Sequence, residues 1–202
     1  MDERLDTRDC ILKAAMDRIL HYGYGKTTMA EIAADCSMSA GNIYRFFKSK
    51  LDIAEAMARN INADVFQTFA EFARDAKRPA LLRLREFFMY RLERTYGLLE
   101  KDAKVLEVAE VLGHERPEFA NEELAQERIY LVQIINQGVE KGEIEINADP
   151  AFVAEMLQTA LMKFGYPQLW SSLNLEKLKR EFNGVFDLLE RSLLAKASQN
   201  SD

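Results

Sequence analysis

Several residue types that mark whole protein classes are scarce in this sequence. Its 202 residues contain two cysteines, Cys10 and Cys36, too few for a disulfide scaffold. Both fall within helical patterns, so reduced, partly buried thiols are expected. Four prolines and nine glycines leave long uninterrupted stretches, which argues against a turn-rich β-sandwich and against a low-complexity chain. His21 and His114 are the only histidines, and neither has a second His or a Glu at metal-binding spacing. A glycine-rich phosphate loop and a nucleophile elbow are also missing. No enzyme, metal or cofactor is therefore expected. No segment approaches the roughly eighteen uncharged apolar residues of a membrane span, and the opening MDERLDTRDC carries charges where a secretory signal needs an apolar run. A cytoplasmic protein is expected.

What is present fits packed helices: 48% hydrophobic and 30% charged residues. The net charge of -6 at first counts against a nucleic-acid partner, which needs positive potential. Its distribution reverses that. From Cys36 to Leu51 the only charged residues are Arg45, Lys48 and Lys50, whereas Glu107, Glu110, Glu115, Glu118, Glu122, Glu123 and Glu127 load the middle of the chain with acid.

Ile11, Ala14, Ala15, Ile19 and Leu20 recur at helical spacing up to Gly23, which predicts a first helix over residues 4–22. Thr27 or Thr28 caps a second, ending near Asp35, and Glu31 completes a capping box with Thr28. Ser39 caps a third helix carrying Ile43, Phe46 and Phe47, assigned mainly to packing. Ser49 caps a fourth that starts at Lys50. The tight turn between the second and third helices is the sequence form of a helix-turn-helix. Longer amphipathic segments follow: Pro79 to about Leu99, Asp102 to Leu112, Pro117 to about Lys141, Asp149 to about Leu169 and Leu175 to about Lys196. The brief alternation Glu143-Ile144-Glu145-Ile146 is read as a loop, so the fold class is all-α.

Residues 27–50, TTMAEIAADCSMSAGNIYRFFKSK, carry the functional signal. Thr28, Ile32-Ala33, Ser39-Ala40-Gly41, Ile43-Tyr44, Phe46-Phe47 and Ser49-Lys50 stand in the order of the helix-turn-helix pattern of the tetracycline-repressor family, which the chain resembles. Beyond this quarter the resemblance rests on helix count, helix lengths and the phrase Gly138-x-x-x-Gly142-Glu-Ile. It implies an N-terminal three-helix DNA-binding domain (residues 1–50, the fourth helix acting as connector) and a larger helical effector-binding and dimerisation domain (51–202). A two-fold dimer through the last two helices and an effector pocket among the central ones come with it.

The residue chemistry points the same way. Gly41 has no side chain to hold the third helix off a groove floor, Asn42 offers a donor and an acceptor to a base edge, and Arg45 suits guanine or phosphate. Tyr44, Lys48 and Lys50 are expected on the phosphate backbone, with Thr28 and Ser39 at helix N-termini and Ala40 beside them. Plainer readings stay open: Tyr44 as core, Lys50 as a solvated charge, Asn42 as a tolerated surface residue. Family turns often have glycine where Ser37 stands, so either Ser37 takes a left-handed backbone or the turn has another shape.

Phe66, Phe69, Phe87, Tyr90, Tyr96, Phe119, Tyr130 and Tyr166 form an aromatic set suited to a small apolar or aromatic effector, although any one of them serves equally as core. The stripes Leu157, Leu161, Phe164 and Phe182, Phe186, Leu189, Leu193 are expected to meet a second copy, the alternative being internal core. The resulting expectation is a homodimeric repressor released from a palindromic operator by a small-molecule effector. The rival reading is a helical ligand-binding or catalytic bundle without DNA activity.

Overall fold

The computed structural model describes residues 3–170 and 174–194. Helix α1 (Glu3–Tyr22), α2 (Met29–Asp35), α3 (Ala40–Ile43) and α4 (Lys50–Arg74) are followed by α5 (Ala80–Lys101), α6 (Val105–Glu115) and α7 (Pro117–Glu140). Then come α8 (Pro150–Ala160), α9 (Met162–Gly165), a 3-10 turn at Pro167–Leu169 and α10 (Leu175–Leu193). Among the described residues the nearest approach to a sheet is one antiparallel bridge, Ile144 to Leu194, inside the stretch read as a loop.

Several boundaries differ from the sequence reading. Helix α5 begins one residue after Pro79, whose carbonyl accepts the Arg83 N–H. Helix α6 begins three residues late, because the Asp102 carboxylate accepts the Lys104 N–H at 2.8 Å and holds a turn ahead of it. The segment expected to run from Asp149 to Leu169 is broken at Leu161, whose backbone (φ -100, ψ 7) leaves the helical path. Pro167 then bars continuation, and the Trp170 indole N–H fastens the bend by donating to the Lys163 carbonyl at 2.7 Å. The end of the segment expected to reach Lys196 lies outside the described residues.

The chain forms two compact units: one runs through Asp64 and takes in Leu98–Asn121, the other comprises Val65–Gly97 and the chain from Glu122 on. In the first, Ile11, Ala15 and Ile19 of α1, Ile32 and Ala33 of α2, Ile43, Phe47 and Ile53 close around one core, joined by Val108 and Leu112 of α6. Helix α6 also finishes α1. The Lys104 ammonium donates to the Leu20 and His21 carbonyls, both at 2.7 Å, supplying a cation and two donors where a helix end leaves carbonyls unpaired.

In the second unit the Gly138-x-x-x-Gly142-Glu-Ile phrase has a physical explanation. Gly142 (φ 69) ends α7 in a left-handed residue, with its N–H on the Val139 carbonyl and the Glu143 N–H on the Gly138 carbonyl. Gly138 lets two neighbouring segments approach closely: a Cβ there would lie 2.6 Å from Ile144 Cδ1 and 2.7 Å from Ala80 Cβ. Glu143 accepts the Ala80 N–H at 2.5 Å and so caps α5, while Ile144 is buried. Arg83, also buried, donates through Nη1 to the Phe72 and Ala73 carbonyls at the end of α4 and to Gln137.

The last helix packs inward. Phe182 and Phe186 are fully buried within a single chain; Phe164 meets Phe182 edge-on at 5.4 Å and the Arg85 guanidinium lies 4.6 Å above the Phe186 ring. Phe186→Ala should therefore cost about 3–5 kcal/mol of stability, the range for truncating a buried phenylalanine, rather than dissociate a folded chain. Thermal unfolding followed by circular dichroism reads the difference; an unchanged midpoint would contradict this packing.

Candidate nucleic-acid interface

The helix-turn-helix is assembled from its caps. The Thr28 hydroxyl accepts the Glu31 N–H at 3.3 Å, and the Glu31 carboxylate accepts the Thr28 N–H at 2.9 Å, closing the capping box. These bonds, led by the Thr28 hydroxyl, hold the Glu31 carboxyl below its ordinary range. Helix α2 ends with Ser37 left-handed (φ 54), the one such residue other than glycine among those described. The Ser37 N–H reaches the Ala34 carbonyl and the Met38 N–H the Ala33 carbonyl, the two bonds of a left-handed helix stop that normally uses glycine. The turn thus keeps its shape without its usual residue.

Ser39 caps α3 by accepting the Asn42 N–H at 3.3 Å. Helix α3 is shorter than its sequence pattern, four residues, and Tyr44 to Phe46 continue it only as turns. Ile43 and Phe47 face the core and Phe46 is half-buried, as their spacing requires. Exposed on the other side are Ser39, Ala40, Gly41, Tyr44, Arg45 and Lys48, with Asn42 half-buried. Tyr44 keeps 54% of its surface, so it is not a core aromatic. Thr28 is exposed one helix away. A Cβ added at Gly41 would meet nothing within 4 Å, so the chain's own packing gives no reason for glycine there.

Lys50 is placed otherwise than expected. Its ammonium is half-buried and donates to the carbonyls of Tyr24 (2.6 Å) and Thr27 (2.7 Å), 4.1 Å from the Tyr24 ring. Burial holds this amine below the ordinary lysine range. Two of its three protons serve the loop that presents Thr28, so Lys50 is first a clamp within the protein. Spacing could not reveal this, because its partners are carbonyls without a side-chain signature. The same holds for Glu107, which accepts the Tyr24 N–H at 2.7 Å. Arg18 meanwhile pairs with Asp35 and Glu31, leaving Arg45 and Lys48 to set the local sign.

The aromatic set disperses. Phe69 and Phe87 are fully buried and stacked at 3.6 Å, Tyr90 meets Phe69 edge-on and Phe66 stacks on Tyr130. Tyr96 stacks on Trp170 instead, and Phe119 belongs to the first unit, with Arg59 over its ring. Tyr166 lines a cavity of about 20 Å³ together with Phe88, Arg91, Leu124, Glu127 and Gln158. Arg91 pairs with Glu127 there, a polar lining that aromatic counting missed. Of the residues assigned to a dimer face, Leu157, Leu161, Phe164, Phe182, Phe186 and Leu193 are buried within one chain and Leu189 is half-buried.

Two family models match, "Bacterial regulatory proteins, tetR family" over residues 11–57 and "Tetracyclin repressor-like, C-terminal domain" over residues 80–186. The second alone spans more than half of the chain. The chain belongs to the TetR family. As a member it is a DNA-binding transcriptional regulator. Its fold is shared with SmeT, the repressor of the Stenotrophomonas maltophilia multidrug efflux pump SmeDEF, at a TM-score of 0.69 and 20% identity, covering 95% of this chain and 91% of SmeT. A SmeT–triclosan complex superposes at 0.64 with 19% identity, covering 96% and 93%. A TetR/AcrR-family transcriptional regulator from Thermobifida fusca matches at 0.67 with 21% identity, covering 92% and 97%.

Within a TetR head, the turn and the recognition helix are separable by mutation. Ser37→Gly should raise stability by about 1 kcal/mol, the usual cost of a left-handed residue other than glycine. Gly41→Ala should stabilise the helix by at most about 1 kcal/mol and yet weaken DNA binding, because its Cβ is free of the protein but faces outward. Urea unfolding and duplex titration on the same samples check both. A Gly41→Ala protein with undiminished affinity would remove position 41 from the interface.

Proposed function

We propose that this regulator is a cytoplasmic, homodimeric repressor that binds a palindromic operator through Ser39, Ala40, Gly41, Asn42, Tyr44, Arg45 and Lys48, and leaves it when a small-molecule effector occupies the second unit. The observation that carries the reading is the exposed surface of α3 and the turns that follow it, bearing Arg45 and Lys48 and no acid, with a glycine near its start that nothing in the chain requires. Asn42 and Arg45 read base edges; Tyr44, Lys48 and the Thr28 helix terminus hold phosphates. Lys50 acts by fixing Thr28. The acidic total, which favoured a bundle without DNA activity, lies outside this surface.

The faces left for a second copy are the outer ones. Phe152 and Met156 are exposed four residues apart on α8, and Leu188 keeps 68% of its surface on α10, four residues after the exposed Gly184. These replace the buried stripes as the proposed interface. For the effector, the residues around Tyr166, Gln158 and the Arg91–Glu127 pair combine apolar walls with hydrogen-bonding groups. The SmeT–triclosan complex supports an aromatic ligand with a polar group. A cavity of about 20 Å³ must widen to admit one, so effector binding moves α8 or α9.

Selection from a random DNA pool tests the operator. A palindrome is expected, bound with log K falling against log salt at a slope of about -5 to -7 if six to eight phosphates are neutralised. Recovery of no consensus, or binding insensitive to salt, refutes the reading. Leu188→Asp should leave helix content intact and shift sedimentation velocity from dimer to monomer, with operator affinity falling alongside. A dimer that persists places the interface elsewhere.

A further inference from the structure

The two cysteines are the unexpected pair in this protein. Cys10 lies on α1 and Cys36 at the C-terminal cap of α2, yet their Sγ atoms are 3.2 Å apart, and Cys10 is exposed. We propose that Cys10 and Cys36 form a dithiol that hydroperoxides oxidise to an intramolecular disulfide, a modification that resets the DNA-reading turn. Its effect on DNA rests on the operator reading above, whereas the chemistry does not.

Sequence alone reads these as two reduced, partly buried thiols; tertiary structure brings together every cysteine the chain has. Cys10 is the accessible sulfur and reacts first. Its thiolate attacks the O–O bond of hydrogen peroxide and expels hydroxide, giving the Cys10 sulfenic acid. The Cys36 sulfur then attacks the Cys10 sulfur, and the departing hydroxyl leaves as water with the Cys36 proton. Two thiols lose two electrons and the peroxide becomes two waters. The order of events suits the surroundings: burial and the hydrogen bond with Cys10 push the Cys36 thiol up to about 12, which leaves the exposed Cys10 as the sulfur that meets peroxide first.

The consequence follows from where Cys36 sits. A disulfide requires about 2.05 Å between sulfurs, so the pair must close by roughly 1 Å. Cys36 is followed immediately by Ser37, the left-handed residue of the turn, and by Ser39, the cap of α3. Drawing Cys36 toward α1 acts on the pivot that aims Gly41, Asn42 and Arg45. The reduced protein is the binding form, and the disulfide should weaken operator affinity by about tenfold or more, comparable to losing a base contact.

The full-length protein, treated with hydrogen peroxide and alkylated, should lose two hydrogens in intact mass, with a Cys10–Cys36 peptide recovered. Operator affinity should fall and return with dithiothreitol. Cys10→Ser should bind DNA as the reduced protein does and ignore peroxide. Cys36→Ser should accumulate a Cys10 sulfenic acid that dimedone traps; if that variant does not fold, Cys10→Ser decides alone. Peroxide producing only chain-to-chain disulfides, no disulfide, or a disulfide with unchanged operator affinity overturns the proposal. Reduced protein that selects no DNA would instead refute the operator reading, while the mass and dimedone results would still judge the dithiol.

Discussion

The ammonium of Lys50 on the carbonyls of Tyr24 and Thr27 fixes the start of the helix-turn-helix, and the rest of the motif is built on it. A cation at the first residue of α4 grips the loop between α1 and α2, and that loop presents the Thr28 cap from which α2 starts. Every later element of the motif is referenced to that start: the capping box, the left-handed Ser37, the Ser39 cap and the short α3. The half-buried charge is tolerated because it meets two carbonyl oxygens and an aromatic face, which replace the water it gives up.

Helix ends are the recurrent problem in this fold, and tertiary contacts answer it as often as local caps do. Lys104 finishes α1 and Glu143 begins α5 across long stretches of sequence, and Arg83 finishes α4 from the next helix. In all three a side chain of the right sign meets the unpaired donors or acceptors of another helix. Arg116, paired with Asp52 and Glu55, adds a further long-range tie within the first unit. For both acids burial pushes the carboxyl up, and the hydrogen bonds and charge of Arg116, joined by Ser49 at Asp52 and Arg59 at Glu55, together outweigh it, so both stay below the ordinary range.

Charge is segregated to match the function. Arg45 and Lys48 stand exposed just after α3, and the neighbouring acids Glu31 and Asp35 are engaged by Arg18. The glutamates of α6 and α7 supply most of the negative total without entering that face, and two of them, Glu123 and Glu127, are buried. Net charge is therefore a poor guide to the partner here, because it sums over surfaces that never meet the same molecule.

What sequence determined by itself is whatever depends on near neighbours. Thr28 with Glu31, Ser39 with Asn42 and Asp149 ahead of Pro150 are cap patterns that need only three or four residues, so α2, α3 and α8 start where their residues dictate. The inward Ile43 and Phe47 and the outward Arg45 follow from periodicity in the same way, whereas Ser37, which sequence left between two turn shapes, is left-handed only in the folded turn. Tertiary structure decided the rest. An apolar stripe on α10 fits a partner copy or the chain's own core equally well, and only packing against Phe164 and Arg85 sent Phe182 and Phe186 inward. The Lys50 ammonium reaches the carbonyls of Tyr24 and Thr27, and two distant thiols lie in contact. Residues far apart along the chain meet only when helices pack, and spacing carries no record of which backbone oxygen, ring or sulfur will then be nearest.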